Sequence, residues 1–309
     1  MSLTSILSDR NNQELRDKFK KEFPIPSFNL KAELKAPPLT NNYGIVGTAF
    51  DYLLRLYLQH HNEDTLIQTG SWVADGVFER LSQRLLGSTE VATGFHRDKV
   101  FKTKDLLTII TNQYEQTKVN HEKYVKDGLI TDELVSNTIF LAKLDVCYRA
   151  GIIDSNFDNH NPEDIKDLKS IISLVDHKKF QVKEKCYLNP TFGRGSALVG
   201  GADADLIIDN TLIDIKVTKY LKLERNHINQ VLGYYLLSLI DGINSNPNDI
   251  AIENIGIYFA RHGELWTIPV VQFGDKQKFE IFQEWFISYL YSKRPGLSLL
   301  DMLTFKEET

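Results

Sequence analysis

The sequence predicts an α/β protein, with a mixed central sheet flanked by helices and a mostly helical region before it. Two observations carry this. Between Tyr43 and residue 162, apolar residues recur at helical spacing in one stretch after another. From about residue 163 the period changes, and short alternating or apolar runs bounded by Gly, Asn and Asp are interleaved with helical stretches. Composition agrees: 309 residues, 42% hydrophobic and 25% charged, is ordinary for a globular chain with a real core, as one large domain or two modest ones.

Taken in order, residues 1–42 read as a polar, proline-punctuated N-terminal arm, a short helix followed by extended chain. Residues 43–162 read as a helical region. "YGIVGTAFDYLLRLYLQHH" has the spacing of a buried helix, and "SWVADGVFERLSQRLLG" continues the theme to a C-cap at Gly87. The stretches ending "KYVKDG" and "DVCYRAG" are amphipathic helices. Residues 163–309 read as the α/β core. "NPEDIKDLKS" opens a helix with Asn, Pro and Glu, a favourable start. "FQVKEKCYLNPTF", "RGSALVGGADADLII" and "TLIDIKVT" read as strands, and "LERNHINQVLGYYLLSLI" as a helix. "NIGIYFARHGELWTIPVV" reads as two strands about a His-Gly turn, and "KQKFEIFQEWFISYLYSK" as a closing helix.

Several function classes are disfavoured. A net charge of −5 gives no bulk field for nucleic acid, so such binding needs local patches or a bound metal. Two cysteines, Cys147 and Cys186, cannot form a zinc ribbon or a four-cysteine iron–sulfur cluster. The remaining histidines show no zinc-ligand spacing, and no GxxxxGK[ST] motif is present. The opening turns polar too early for a secretory segment, and no long apolar run suggests a membrane span. The expectation is a soluble, cytoplasmic protein with no membrane partner.

The chemistry concentrates in "GADADLIIDNTLIDIKVT", residues 201–218. Asp209-Asn210 suits a tight hairpin turn, because both residue types tolerate left-handed backbone. Ile208 then pairs with Thr211, which sets Asp205 opposite Asp214 and Asp203 opposite Lys216. Strand alternation gathers these four charged residues on one face and Leu206, Ile208, Ile213, Ile215 and Val217 on the other. Opposed carboxylates repel across a strand pair. A divalent cation between Asp205 and Asp214 would reconcile them, since Mg²⁺ is held by one or two carboxylates with waters and phosphate completing its shell. A solvent-exposed edge hairpin, with Lys216 offsetting the acids, is the plainer alternative.

The pattern resembles the PD-(D/E)XK nuclease superfamily: an acid at one strand end (Asp205), then Asp214-Ile215-Lys216 on the next strand. The following helix carries Gln230 and Tyr234 as Q-x-x-x-Y, which resembles the RecB-like branch; His227 shares that face. The likeness covers about residues 180–275. It implies a restriction-endonuclease-like core and Mg²⁺- or Mn²⁺-dependent hydrolysis of phosphodiester bonds, in DNA rather than RNA. It implies Asp205, Asp214 and the Ile215 carbonyl as metal ligands, Lys216 as an aid to the attacking water, and Gln230 and Tyr234 as positioning groups. The family's upstream acid or histidine has two candidates, Asp51 in "GTAFD" and Asp145 in "LAKLDVCYRAG"; each could equally be a helix aspartate paired with Arg55 or Arg149. No iron–sulfur cluster is implied, and a motor or defence-complex subunit would be a separate chain. Phage defence and DNA repair are the settings suggested by the resemblance.

Lys219, Lys222 and Arg225, at steps of three after Lys216, and Arg194 in a Gly-flanked loop are candidate phosphate contacts or simply solvated residues. Arg261 and His262 read as turn residues. Two other readings stay open: a non-catalytic nucleic-acid-binding or assembly subunit, and a sequence-specific restriction endonuclease.

Overall fold

The computed structural model describes residues 2–293, apart from 64, 71, 85, 86 and 95, so the end of the expected 163–309 core lies outside the described residues. In chain order the elements are α1 (Leu3–Ser8), α2 (Gln13–Glu22), α3 (Tyr43–His61), β1 (Leu66–Thr69), α4 (Val73–Arg84), β2 (Glu90–Thr93), β3 (Lys99–Lys102), α5 (Thr103–Asp127), α6 (Asp132–Ala150) and α7 (Pro162–Ile172). There follow β4 (Lys185–Leu188), α8 (Gly193–Leu198), β5 (Leu206–Ile208), β6 (Thr211–Lys216), α9 (Arg225–Asp241), β7 (Asn254–Phe259), β8 (Glu264–Pro269) and α10 (Lys276–Ser292). Local chemistry explains several ends. Gly128 and Gly151 take φ of 67° and 69° and close α5 and α6 as left-handed caps. The Asn161 side chain accepts from the Glu163 N–H, and Pro162 occupies the first turn of α7.

The central sheet is mixed, in the order β1-β4-β5-β6-β7-β8. β4, β5 and β6 form an antiparallel meander; α9 then carries the chain over to β7, which runs parallel to β6. β8 returns antiparallel on β7, and β1 lies parallel on β4 at the opposite edge. Alternation along the strands feeds two apolar layers. Ile207, Leu212, Ile257 and Phe259 pack with Leu232 of α9, Phe282 of α10 and Phe19 of α2. Leu206, Ile208, Ile213 and Tyr258 pack with Phe50 and Leu53 of α3 and Leu168 of α7. The result is a helix–sheet–helix sandwich. Arg261, between β7 and β8, is 1% exposed and makes paired hydrogen bonds of 2.7 and 2.8 Å to Asp167 of α7. It also donates to the Ala36 carbonyl at 3.0 Å, so the turn residue is a structural clamp.

Four expectations are corrected. The N-terminal arm, read as one short helix and then extended chain, holds two helices, and Leu3, Leu15, Phe19 and Phe23 are buried, with Phe23 stacked 5.3 Å from Phe279. Its basic residues made the segment look polar, while most apolar residues of its two helices point inward. The stretch around Arg194 is the short helix α8, not strand. β1 and the β2–β3 hairpin lie inside the region read as helical; four-residue strands give too short a period to register. The charged face of the β5–β6 hairpin is not open either, because Ile207 and Leu212 share that side and are buried.

Candidate active site

The β5–β6 turn forms at Asp209-Asn210 as its residue types require. Asp209 has φ 50°, and its carboxylate accepts the Glu184 N–H at 2.9 Å. Ile208 pairs with Thr211 and Leu206 with Ile213. Continued by one residue, that register sets Asp205 opposite Asp214. Both line one cleft of about 310 Å³, together with Ile215, Lys216, Gln230, Asp51 and Asp145. Asp203 departs from expectation. It bridges to Thr191 instead of facing Lys216, and its carboxylate lies 3.7 Å from Arg149. The chain leaves the ladder before that position.

A polar chain runs through the cleft. Lys216 Nζ sits 2.6 Å from Asp214 Oδ2 and donates to Gln230 Oε1 at 2.9 Å. Gln230 Nε2 in turn donates to the Tyr234 hydroxyl at 3.1 Å. Thus α9, packed across the sheet, holds the lysine by a side-chain amide one helical turn from the tyrosine. Asp205 Oδ2 accepts the Ile215 N–H at 2.6 Å, which ties the two acidic strands together. Asp214 is 1% exposed; apart from the ion contact to Lys216 its carboxylate has no aligned hydrogen bond, and Oδ1 is left without a partner.

Electrostatics follow from this crowding. Burial raises the Asp205 carboxyl well above its ordinary value, and the charges of Asp214 and Asp51 raise it further. Burial also raises Asp214, against the opposing pull of Lys216. For Lys216, burial works to lower the pKa, but the Asp214 and Asp205 charges outweigh it and the net shift is upward. A buried carboxylate pair with an unpartnered oxygen is costly unless a positive charge offsets it.

Both upstream acids reach the cleft, with different partners. Asp51 is paired with Arg55 one turn along α3, and Arg55 also donates to Asn189 Oδ1 at 3.2 Å. Asp51 feels the charges of Asp203 and Asp214, and Asp205 feels that of Asp51. Asp145 accepts from the Tyr52 hydroxyl at 2.7 Å, and burial pushes its carboxyl up to about 6. The charges that act most strongly on it are those of Arg149, Arg55 and Asp51. Asp51 is therefore the acid more closely joined to the central pair.

The other basic candidates do not converge. Arg194 donates its backbone N–H to Asp241 at 2.9 Å and does not line the cleft. Arg225 opens α9 and donates to the Phe23 carbonyl at 2.6 Å, closing the end of α2. Lys219 and Lys222 are exposed in the irregular segment between β6 and α9, so the steps of three are not helical there. His227 turns toward the α9 cap, where Nδ1 accepts from the Glu224 N–H at 3.3 Å. Arg55, Arg149 and Asn189 line the cleft and were not singled out as site residues by sequence. Only Asn189 carried a local signal, an Asn-Pro step, which here has φ 55°.

Among the described residues no group of three or more His, Cys, Asp or Glu is arranged to hold a metal ion. The two facing carboxylates and the free Oδ1 of Asp214 nonetheless suit Mg²⁺ or Mn²⁺, which needs only one or two protein carboxylates. No family model matches the chain, and no curated protein or solved structure is significantly similar to it. Fold and cleft together define an α/β protein with a mixed six-stranded sheet and a buried acid–lysine–glutamine–tyrosine chain at its centre.

Proposed function

We propose that the protein is a metal-dependent nuclease of the PD-(D/E)XK type, hydrolysing phosphodiester bonds in DNA. One observation carries the reading: Asp205, Asp214, Lys216 and Gln230 meet in a single cleft, and Asp214 Oδ1 is buried there without a partner. A structural role would favour pairing or removing these charges, because desolvated like charges destabilise the fold. The order of the meander, α9 and β7 also suits a restriction-endonuclease-like core.

Asp205 and Asp214 would hold Mg²⁺ or Mn²⁺, with the Ile215 carbonyl as a further ligand. Such an ion polarises a phosphoryl oxygen and acidifies bound water. Lys216 keeps its proton and offers positive charge beside the acids, where negative charge grows on the phosphorus-bound oxygens. Gln230 fixes the ammonium and is itself fixed by Tyr234. Arg149, 55% exposed at its side chain, supplies a cation for the phosphate backbone at the mouth.

The test is Mn²⁺-dependent cutting of linear and single-stranded DNA by purified protein. Asp214→Ala should abolish it, and Lys216→Ala should slow it roughly 10²–10⁴-fold, with folding intact. Equal cutting by wild type and both variants would overturn the assignment. One observation favours a second reading, a non-catalytic binding subunit: Asp51 is engaged by Arg55 and leaves the pair without a third free carboxylate. DNA binding without cutting under any divalent metal would support it.

A further inference from the structure

A second cavity, of about 420 Å³, lies beside the acidic cleft between α3, α5 and the β1 edge of the sheet. That volume falls in the range of small-ligand pockets, roughly 300–1,000 Å³. Arg55 lines both cavities, so the two adjoin across one guanidinium. Tyr52, Trp72 and His121 form an aromatic part of the wall. Trp72 lies 4.6 Å from the His121 ring and 6.5 Å from Tyr52, both edge-on, and the Arg55 guanidinium sits 5.1 Å over the Tyr52 ring. His121 is 5% exposed, and neither of its ring nitrogens has a hydrogen-bond partner. Burial lowers its pKa to about 4, so at neutral pH it carries one donor and one acceptor. Lys118, Lys126 and Glu122 line the same cavity, and Lys118 is paired with Glu115 at 3.2 Å on the exposed side of α5.

An aromatic wall, a neutral buried imidazole with both nitrogens free, and cations in the lining match a flat heteroaromatic ring joined to a phosphate. Resting on the nuclease reading, we infer that this cavity holds an unpaired nucleobase of the DNA strand whose phosphate lies in the acidic cleft. Trp72 stacks on the ring, His121 bonds its edge, and Lys126, with Lys118 exchanging its Glu115 partner, holds the flanking phosphate. A stacked, paired base cannot enter such a pocket without first being unstacked and unpaired at a cost in free energy, so single-stranded DNA or a frayed end is the favoured substrate.

The test separates binding from cutting. Anisotropy of a fluorescein-labelled single-stranded oligothymidylate, in EDTA, is compared with that of an abasic strand of equal length. Wild type should bind the base-bearing strand roughly tenfold more tightly. Trp72→Ala should remove most of that difference; the double variant Lys118→Ala/Lys126→Ala should weaken both strands alike. Should Trp72→Ala misfold, photocrosslinking of a 5-iodouracil-bearing strand to wild type replaces it, with Trp72 the expected adduct. Equal affinity for both strands, a folded Trp72→Ala that still discriminates, adducts elsewhere, or no strand binding would each overturn the inference. Displacement by thymidine monophosphate at the affinity of the strand would also overturn it, by making the ligand a free nucleotide. Base discrimination without Mn²⁺-dependent cutting would uphold the pocket and refute the nuclease.

Discussion

Asp145 offers a way to tell whether a buried acid of the cleft belongs to the proposed reaction or only neighbours it. Burial raises its carboxyl from 3.8 to about 6, against the Tyr52 hydrogen bond and the charges of Arg149 and Arg55. Between those two values the folded protein keeps a proton that the unfolded chain has lost. The unfolded state binds fewer protons there, so stability falls as pH rises through the window. At ~1.36 kcal/mol per pH unit the loss is about 3 kcal/mol, complete above pH 6. Asp145→Asn keeps an acceptor for the Tyr52 hydroxyl and cannot ionise. The stability difference, variant minus wild type, should therefore grow by about 2.4 kcal/mol between pH 4 and pH 7. Urea denaturation of both proteins at half-unit pH steps reads this directly. A difference that stays flat, or shrinks, would refute the reasoning. Asp145 is held by the Tyr52 hydroxyl, whereas Asp51 adds to the charge that Asp205 feels; on the proposed nuclease reading Asp145→Asn should therefore retain DNA cutting and Asp51→Asn should impair it.

Three further outcomes follow from the same structure. Mg²⁺ should raise the melting temperature by relieving the Asp205–Asp214 repulsion, with about 2.7 kcal/mol gained at a hundredfold excess over Kd, and Asp205→Asn should remove the gain in a thermal scan. Asp167→Ala should cost about 3–5 kcal/mol in chemical denaturation, because it strands the Arg261 guanidinium in the core. Phe19→Ala should cost about 3–5 kcal/mol, since its ring packs edge-on against Phe282 at 4.9 Å; a loss under about 1 kcal/mol would mean the N-terminal helices are dispensable.

The acidic β5–β6 hairpin was legible from its residues. A two-residue period with Asp-Asn at the turn admits one register that keeps Leu206, Ile208 and Ile213 together, and Asp205 opposite Asp214 comes with it. The helical spacing of Gln230 and Tyr234 likewise foretold that they share a face. Tertiary structure alone decided what meets that hairpin. Periodicity says which side of an element is apolar, not which distant element will cover it. It therefore could not show that α3 delivers Asp51 with Arg55 to the cleft, or that α6 delivers Asp145 with Arg149. Nor could it show that Arg225 is spent on the Phe23 carbonyl and Arg194 on Asp241, or that four residues after α3 add the edge strand β1. Long-range packing fixes those partners, because each buried charge takes whichever counter-charge or carbonyl the folded chain brings within reach.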